Sequence, residues 1–196
     1  MLVIFARYPI AGQAKTRLIP ALGAEGAAQL QRRMNQHTIA MATACAVPIQ
    51  IRFCGGTATQ LRQHLGNELN YQPQGDGDLG DRMANAFHDG FQQGHKQIVI
   101  IGTDCPFIDQ AIIRTAFTAL ATHDLVIGPA TDGGYYLIGL RQLLPELFQA
   151  IPWSTDAVLA KTLEIATANA VSYTLLPQLS DIDRPDDLAH LPAQLQ

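Results

Sequence analysis

The sequence is short of the residues that thiol, membrane or nucleic-acid-binding proteins depend on. Cysteine occurs only at Cys45, Cys54 and Cys105, an odd number without metal-ligand spacing. These predict reduced cytosolic thiols rather than a disulfide frame. H-E-x-x-H, C-x-x-C and G-x-S-x-G are all missing, which leaves no basis for a nucleophilic triad. The histidines, His37, His64, His88, His95, His123 and His190, are scattered over predicted helices and loops and read as surface residues. Positive charge is not in excess: the formal net charge is -4, which argues against a general nucleic-acid surface. No stretch approaches the roughly 18 apolar residues of a membrane helix. The start M-L-V-I-F-A-R has no basic region and too short an apolar run for a signal peptide. A cytoplasmic protein without membrane or nucleic-acid partners is expected.

What remains is a well-packed chain. Its 196 residues are 47% hydrophobic and 15% charged, consistent with one domain spanning 1–196 and a sizeable core. The most informative stretch is Gln97 to Pro106, Q-I-V-I-I-G-T-D-C-P. Ile98 to Ile101 are continuously apolar and β-branched, the pattern of a parallel strand covered on both faces. The strand stops at Gly102, and Asp104 follows at once. Ligands of open α/β sheets sit outside the carboxyl ends of the strands. A carboxylate there can hold a hard cation and, through it, a phosphate. It can equally shape the turn.

Strand and helix patterns alternate along the chain. Strands are expected at Leu2–Ala6, Ile49–Cys54, Leu69–Gln72, around Ile98, and at Leu125–Gly128, Tyr135–Leu140 and Val171–Leu176. Helices are expected at Ala24–Cys45, Ala58–Leu65, Leu79–Gln93, Asp109–Thr122 and Thr155–Ala168, with a last one starting at Pro185–His190. This order predicts a three-layer α/β/α sandwich on a mostly parallel sheet. The segments at Leu125 and Tyr135 lie too close together for a helical crossover, so one of them should be antiparallel.

Polar segments interrupt this scaffold. Arg7 to Arg17, after the first strand, contains Gly12, Lys15 and Arg17. Such a loop can wrap phosphates with backbone N–H groups while its cations neutralise them, and Gly12 allows close backbone approach. It is neither a Walker A loop nor a G-x-G-x-x-G fingerprint. Gly75 to Met83 alternates Gly and Asp before a helix; Asp78 is a candidate N-cap, and Arg82 could meet a base or phosphates. Gly128 to Tyr136 joins Asp132, the turn glycines Gly133 and Gly134, and Tyr135. There Asp132 could bind acceptor or sugar hydroxyls and Tyr135 could stack on them. Asp181 to Asp187 places Asp181 and Asp183 on one side of an extended segment, where two carboxylates repel unless a cation lies between them. Helix capping by Asp183 is the alternative there.

Taken together and in order, F-A-R-Y-P-I-A-G-Q-A-K-T-R-L (5–18), G-D-L-G-D-R-M (77–83), G-T-D-C-P (102–106), D-G-G-Y-Y-L-I-G-L (132–140) and D-I-D-R-P-D-D-L (181–188) resemble one family. It is the nucleotide-diphospho-sugar transferase superfamily, with the Rossmann-like glycosyltransferase-A fold. The chain is most similar to a small bacterial glycosyltransferase-like branch of the radical-SAM/selenodomain-associated transferase type, related to cofactor guanylyltransferases. The resemblance implies a nucleotide against Ala6, Arg7, Gly12, Lys15 and Arg17, with Asp78, Arg82 and Thr103 on the same ligand. It implies Mg²⁺ or Mn²⁺ on Asp104 with Asp181 or Asp183. Acceptor contacts would fall to Asp132, Gly133, Gly134 and Tyr135. Many sugar transferases carry D-x-D, but here the residue two after Asp104 is Pro106. A single aspartate is closer to the nucleotidyltransferases of the fold.

The first functional expectation is therefore a metal-dependent transferase using a nucleoside-diphosphate sugar and a small-molecule acceptor. Lys15 would share the charge of the leaving diphosphate, and Asp132 would contact or deprotonate the acceptor. The alternative is a nucleotidyltransferase joining an NTP to a phosphorylated small molecule with release of pyrophosphate. A non-catalytic nucleotide-binding module would need the basic loop but not the carboxylates.

Overall fold

The computed structural model describes residues 1–195. Among them, the strands β1 (Leu2–Arg7), β2 (Ile49–Cys54), β3 (Asn70–Pro73), β4 (Ile98–Ile101), β5 (Leu125–Pro129), β6 (Tyr135–Leu140) and β7 (Tyr173–Leu175) make one sheet in the order β3-β2-β1-β4-β6-β5-β7. Only β6 runs antiparallel to its neighbours, β4 and β5, as the short β5–β6 gap predicts. The helices are α1 (Ile19–Thr43), α2 (Ala58–Leu65), α3 (Leu79–Gln92), α4 (Gln110–Ala119) and α5 (Val158–Ala168).

Side-chain alternation along buried strands sets the three layers. In β1, Leu2, Ile4 and Ala6 face one core cluster, while Val3 faces the other with Met1. In β4, Val99 and Ile101 join the first cluster and Ile98 and Ile100 the second. The first is covered by α1, α2 and α4 through Ile39, Ala42, Leu61, Ile113 and Ala116. The second is covered by α3 and α5 through Met83, Ala86, Phe87 and Ala166. All of β4 is buried, which accounts for its unbroken apolar run. A smaller cluster pins the C-terminal segment, through Ile182, Leu191 and Leu195, onto Leu30 and Met34 of α1.

Several boundaries differ from expectation. The element containing α1 begins at Ile19, but Gly23 breaks it with φ 70° and ψ 168°, so regular helix starts where the Ala24 expectation placed it. Helix α5 begins at Val158 rather than Thr155, because the Thr155 hydroxyl donates to the Pro152 carbonyl and holds a turn there. The last helix is a 3-10 segment, Pro185–His190. Asp109 caps α4 as read, accepting from the Ile112 amide at 2.8 Å. His64 is half-buried rather than exposed: both ring nitrogens are sealed from solvent without a hydrogen-bond partner among the described residues, and burial, aided by Arg32, pushes the imidazole down to about 4.

Candidate active site

The strand order reverses between the parallel neighbours β1 and β4: from β1 it proceeds through β2 and β3 on one side, and through β4 on the other. That is the switch point at which open α/β sheets form a crevice. A cleft of about 600 Å³ lies there, lined by the ends of β1 and β4, the beginning of β6 and residues of the loops beyond them.

The loop after β1 enters the cleft through Lys15. Its backbone is left-handed, φ 45° and ψ 48°, a region that costs a non-glycine residue about 1–2 kcal/mol. The side chain folds inward and is only 3% exposed. The Lys15 ammonium donates to Asp104 Oδ1 at 2.8 Å and to the Ile182 carbonyl at 2.6 Å. In turn the Ile182 amide donates to the Asp104 carbonyl at 2.8 Å. Lys15, Asp104 and the C-terminal segment are thus tied together across the sheet edge. Arg17, in the next turn, ion-pairs with Asp183.

The alternation predicted around Ile182 is present: Ile182 is fully buried in the core, and its neighbours Asp181 and Asp183 both line the cleft. The two carboxylates are not equivalent. Asp183 is held by Arg17, and it does not cap the following turn; the Asp187 carboxylate does that, accepting from the amides of Asp183 and Arg184. Asp181 has no such cation of its own among the described residues. Burial, then the charges of Asp104 and Asp132, push its carboxyl up to about 7, against the pull of Lys15. A half-buried carboxylate surrounded by like charge is a site that a cation relieves.

Oxygen ligands of this kind suit Mg²⁺ or Mn²⁺, which are commonly held by one or two carboxylates plus waters and substrate phosphates. Asp104 and Asp181 fit that pattern. Among the described residues there is no cluster of three or more His, Cys, Asp or Glu side chains able to hold a metal ion. A fully protein-built cage is therefore absent among them.

Ala6, Arg7, Arg82, Thr103 and Tyr135 also line the cleft. Gly12 lies on the exposed loop; its φ of 77° meets a turn requirement, since a Cβ there would touch nothing. Asp78 is the N-cap of α3, accepting from the Asp81 amide at 2.9 Å, and it is not part of the cleft wall. Asp132, Gly133 and Gly134 stand beside the cleft rather than on its wall. Asp132 Oδ1 accepts from the Gly134 amide at 2.9 Å. Gly133, φ 89°, allows the close approach of Asp156, whose carbonyl oxygen would lie 2.2 Å from a Cβ. The ring of Tyr135 meets Trp153 edge-on at 6.5 Å.

Sequence reasoning missed the polar support beneath the cleft. Gln31 Nε2 donates to Thr103 Oγ1 at 3.1 Å and to Asn35 Oδ1 at 2.9 Å, and Asn35 Nδ2 donates to the Arg7 carbonyl at 2.9 Å. One turn of α1 thereby fixes the ends of both β1 and β4. The available signal was the position of Gln31 and Asn35 on the buried stripe of α1, between Leu30, Met34 and Thr38. Gln74, buried at the end of β3, is a further cleft residue that was missed.

Residues 27–155 match the family described as "Uncharacterized protein conserved in bacteria (DUF2064)". No curated protein matches the chain. A crystal structure from Desulfovibrio desulfuricans, named as a candidate nucleotide-diphospho-sugar transferase, is 31% identical, covers 93% of this chain and 81% of its own, and superposes with a TM-score of 0.90. Two more distant structures share the fold. The inositol-1-phosphate CTP transferase of T. maritima is 13% identical, with coverage of 99% and 92% and a TM-score of 0.58. The Rv0371C protein of Mycobacterium tuberculosis, in complex with manganese, is 15% identical, with coverage of 97% of each chain and a TM-score of 0.52. The chain belongs to the DUF2064 family and, with its 31%-identical Desulfovibrio relative, to the nucleotide-diphospho-sugar transferase superfamily.

Proposed function

We propose that the cleft binds a nucleoside-diphosphate sugar with a divalent cation and transfers the sugar to a small-molecule acceptor. The observation that carries this reading is the meeting of Lys15 and Arg17 with Asp104 and Asp183 over the ends of β1 and β4. The Desulfovibrio relative's name supports the sugar-nucleotide donor. In this reading the nucleotide lies along Ala6, Arg7, Gly12 and Thr103. Lys15 and Arg17 face its phosphates, as cations that can release their carboxylates to a bound metal and turn to phosphate oxygens. Asp104 and Asp181 would hold Mg²⁺ or Mn²⁺, with Asp183 in reserve on Arg17. The metal supplies charge stabilisation for the departing diphosphate. Gln31 and Asn35 keep the strand ends rigid, which positions the phosphates without reorganisation. Asp132 is partly engaged by its own turn, so we assign it to acceptor contact in preference to proton abstraction.

A second reading, nucleotidyl transfer, is favoured by one feature. The position two residues after Asp104 is the buried Pro106, whose carbonyl accepts from His37 Nε2 at 3.1 Å, so no second carboxylate joins Asp104 from that turn. Lys15 and Arg17 would then align a triphosphate for displacement of pyrophosphate.

Product analysis separates the two. Incubation with nucleotide sugars and Mn²⁺ should release nucleoside diphosphate. Release of pyrophosphate from an NTP, with nucleotide sugars inert, would replace the first reading by the second. Inertness toward both classes would refute a catalytic cleft.

A further inference from the structure

Two arginines of the cleft, Arg7 and Arg82, have no carboxylate partner among the described residues; Arg7 is exposed at the end of β1, whereas Arg82 has a buried guanidinium nitrogen. Arg82 projects from the first turn of α3, on the sheet face opposite α1. Lys15 and Arg17 each have a carboxylate partner. Arg82 has none among the described residues, and its Nε is sealed from solvent without a hydrogen-bond acceptor. The acids next to it in sequence are occupied elsewhere. Asp78 and Asp81 form a reciprocal capping box: Asp78 Oδ1 accepts from the Asp81 amide, and Asp81 Oδ2 accepts from the Asp78 amide at 3.1 Å.

A half-buried guanidinium with an orphaned N–H is costly unless an anion meets it. Its planar fork matches phosphate or carboxylate oxygens in pairs. The segment holding Arg82 is also firmly seated. Gly80 packs so closely on Trp153 that a Cβ there would lie 2.7 Å from the indole nitrogen, and Trp153 in turn meets Tyr135 on the cleft wall. The arginine therefore enters the cleft from α3, a different element from the first loop that carries the paired cations.

We propose that Arg82 anchors an anionic group of the acceptor, a phosphate or a carboxylate, on the α3 wall of the cleft, apart from the nucleotide phosphates. The assignment deepens the transferase reading and rests on it. It makes the acceptor a small acid or phosphate ester rather than a neutral alcohol, and makes Arg82 a specificity-determining residue.

The test uses inorganic phosphate and acetate as separate probes. Each is titrated by calorimetry onto the protein saturated with Mg²⁺ and the tightest ligand from a panel of nucleoside diphosphates and triphosphates. The wild type should bind at least one of them, and the probe that binds identifies the anion class. Arg82→Gln should weaken that binding by roughly tenfold or more, the loss expected for one charge-assisted contact. Arg82→Lys should keep part of it, and nucleotide affinity should change by no more than about twofold in either variant. Melting temperatures of both variants check that α3 remains in place. Wild-type affinity for both probes in Arg82→Gln would overturn the proposal. So would a loss of nucleotide affinity as large as the loss of probe affinity, because Arg82 would then serve the nucleotide. If no nucleotide binds the wild type, the transferase reading fails on its own. The titration is then run on nucleotide-free Arg17→Ala protein, with and without Arg82→Gln, and the same tenfold difference decides for or against an anion site at Arg82.

Discussion

The two walls of the cleft handle charge in opposite ways. On the wall formed by the first loop and the C-terminal segment, cations and carboxylates balance: Lys15 pairs with Asp104 and Arg17 with Asp183, while Arg7 and Asp181 line the same wall without an ion pair among the described residues. On the α3 wall, Arg82 has no acidic partner among the described residues, and the neighbouring acids cap their own helix. An internally neutral wall can exchange partners when a metal and phosphates arrive together, since the incoming charges nearly cancel. A wall with a lone cation instead selects a ligand that brings an anion. Under the proposed function, this contrast would let one cleft favour a metal–phosphate group on one side and a simple anion on the other.

Removing the buried member of the neutral wall should have the largest effect. Lys15→Ala takes away a side chain that is 3% exposed and leaves the Ile182 carbonyl without its donor. A loss of about 1–3 kcal/mol in stability is expected. Affinity for a nucleoside diphosphate should also fall by about one to two decades, with little change for the bare nucleoside. Thermal denaturation and calorimetry measure the two separately. A variant with wild-type melting temperature and affinity would remove Lys15 from both roles. Arg17→Ala should be milder, because its pair with Asp183 is solvent-exposed on both sides. A loss of diphosphate affinity near the lower end of that range, with unchanged stability, would separate ligand binding from folding at the same wall.

The neutral wall was more legible in the sequence than the lone arginine. Lys15, Arg17, Asp104, Asp181 and Asp183 all follow strand-like runs, and an α/β sheet gathers such loops at one edge. The antiparallel β6 followed from the short distance between two strand patterns. The pairings themselves were not readable, because they join residues such as Lys15 and Ile182 that only the folded sheet brings together. Arg82 was read as a ligand contact, but its lack of an acidic partner was not legible: Asp78 and Asp81 stand just before it in sequence, and only the capping geometry turns both carboxylates onto backbone amides. Gln31 and Asn35 look like exposed polar residues in an Ala- and Gln-rich helix. Their burial depends on the Thr103 and Arg7 groups that they meet.

A smaller effect should appear in pH dependence. Burial and like charge push the Asp181 carboxyl up to about 7, so the folded protein favours its protonated form. The stability it contributes is complete below the ordinary carboxylate value of about 4 and is lost as pH rises through about 7. Melting temperatures of metal-free protein should show a downward contribution across that window, and Asp181→Asn should remove it. Metal binding needs the charged carboxylate, so Mn²⁺ affinity of the wild type should rise over the same range. Identical pH profiles for wild type and Asp181→Asn would contradict the assignment of Asp181. The smallest expected effect is that of Asp183→Ser on stability, less than about 1 kcal/mol for an exposed ion pair. Its turnover should be reduced but retained. Complete loss of Mn²⁺-dependent turnover would move Asp183 from partner of Arg17 to metal ligand.

The central claim is that the carboxylate ending β4, with Asp181, holds a divalent cation that joins the nucleotide phosphates to the sheet edge. Calorimetric titration of Asp104→Asn with nucleotide, in the presence and absence of Mn²⁺, tests it most directly. The amide keeps the shape of the side chain and removes its charge. The account predicts that Mn²⁺ strengthens nucleotide binding to the wild type and that this gain is lost in Asp104→Asn, while the variant keeps a cooperative melting transition. An equal Mn²⁺-dependent gain in wild type and variant would contradict it.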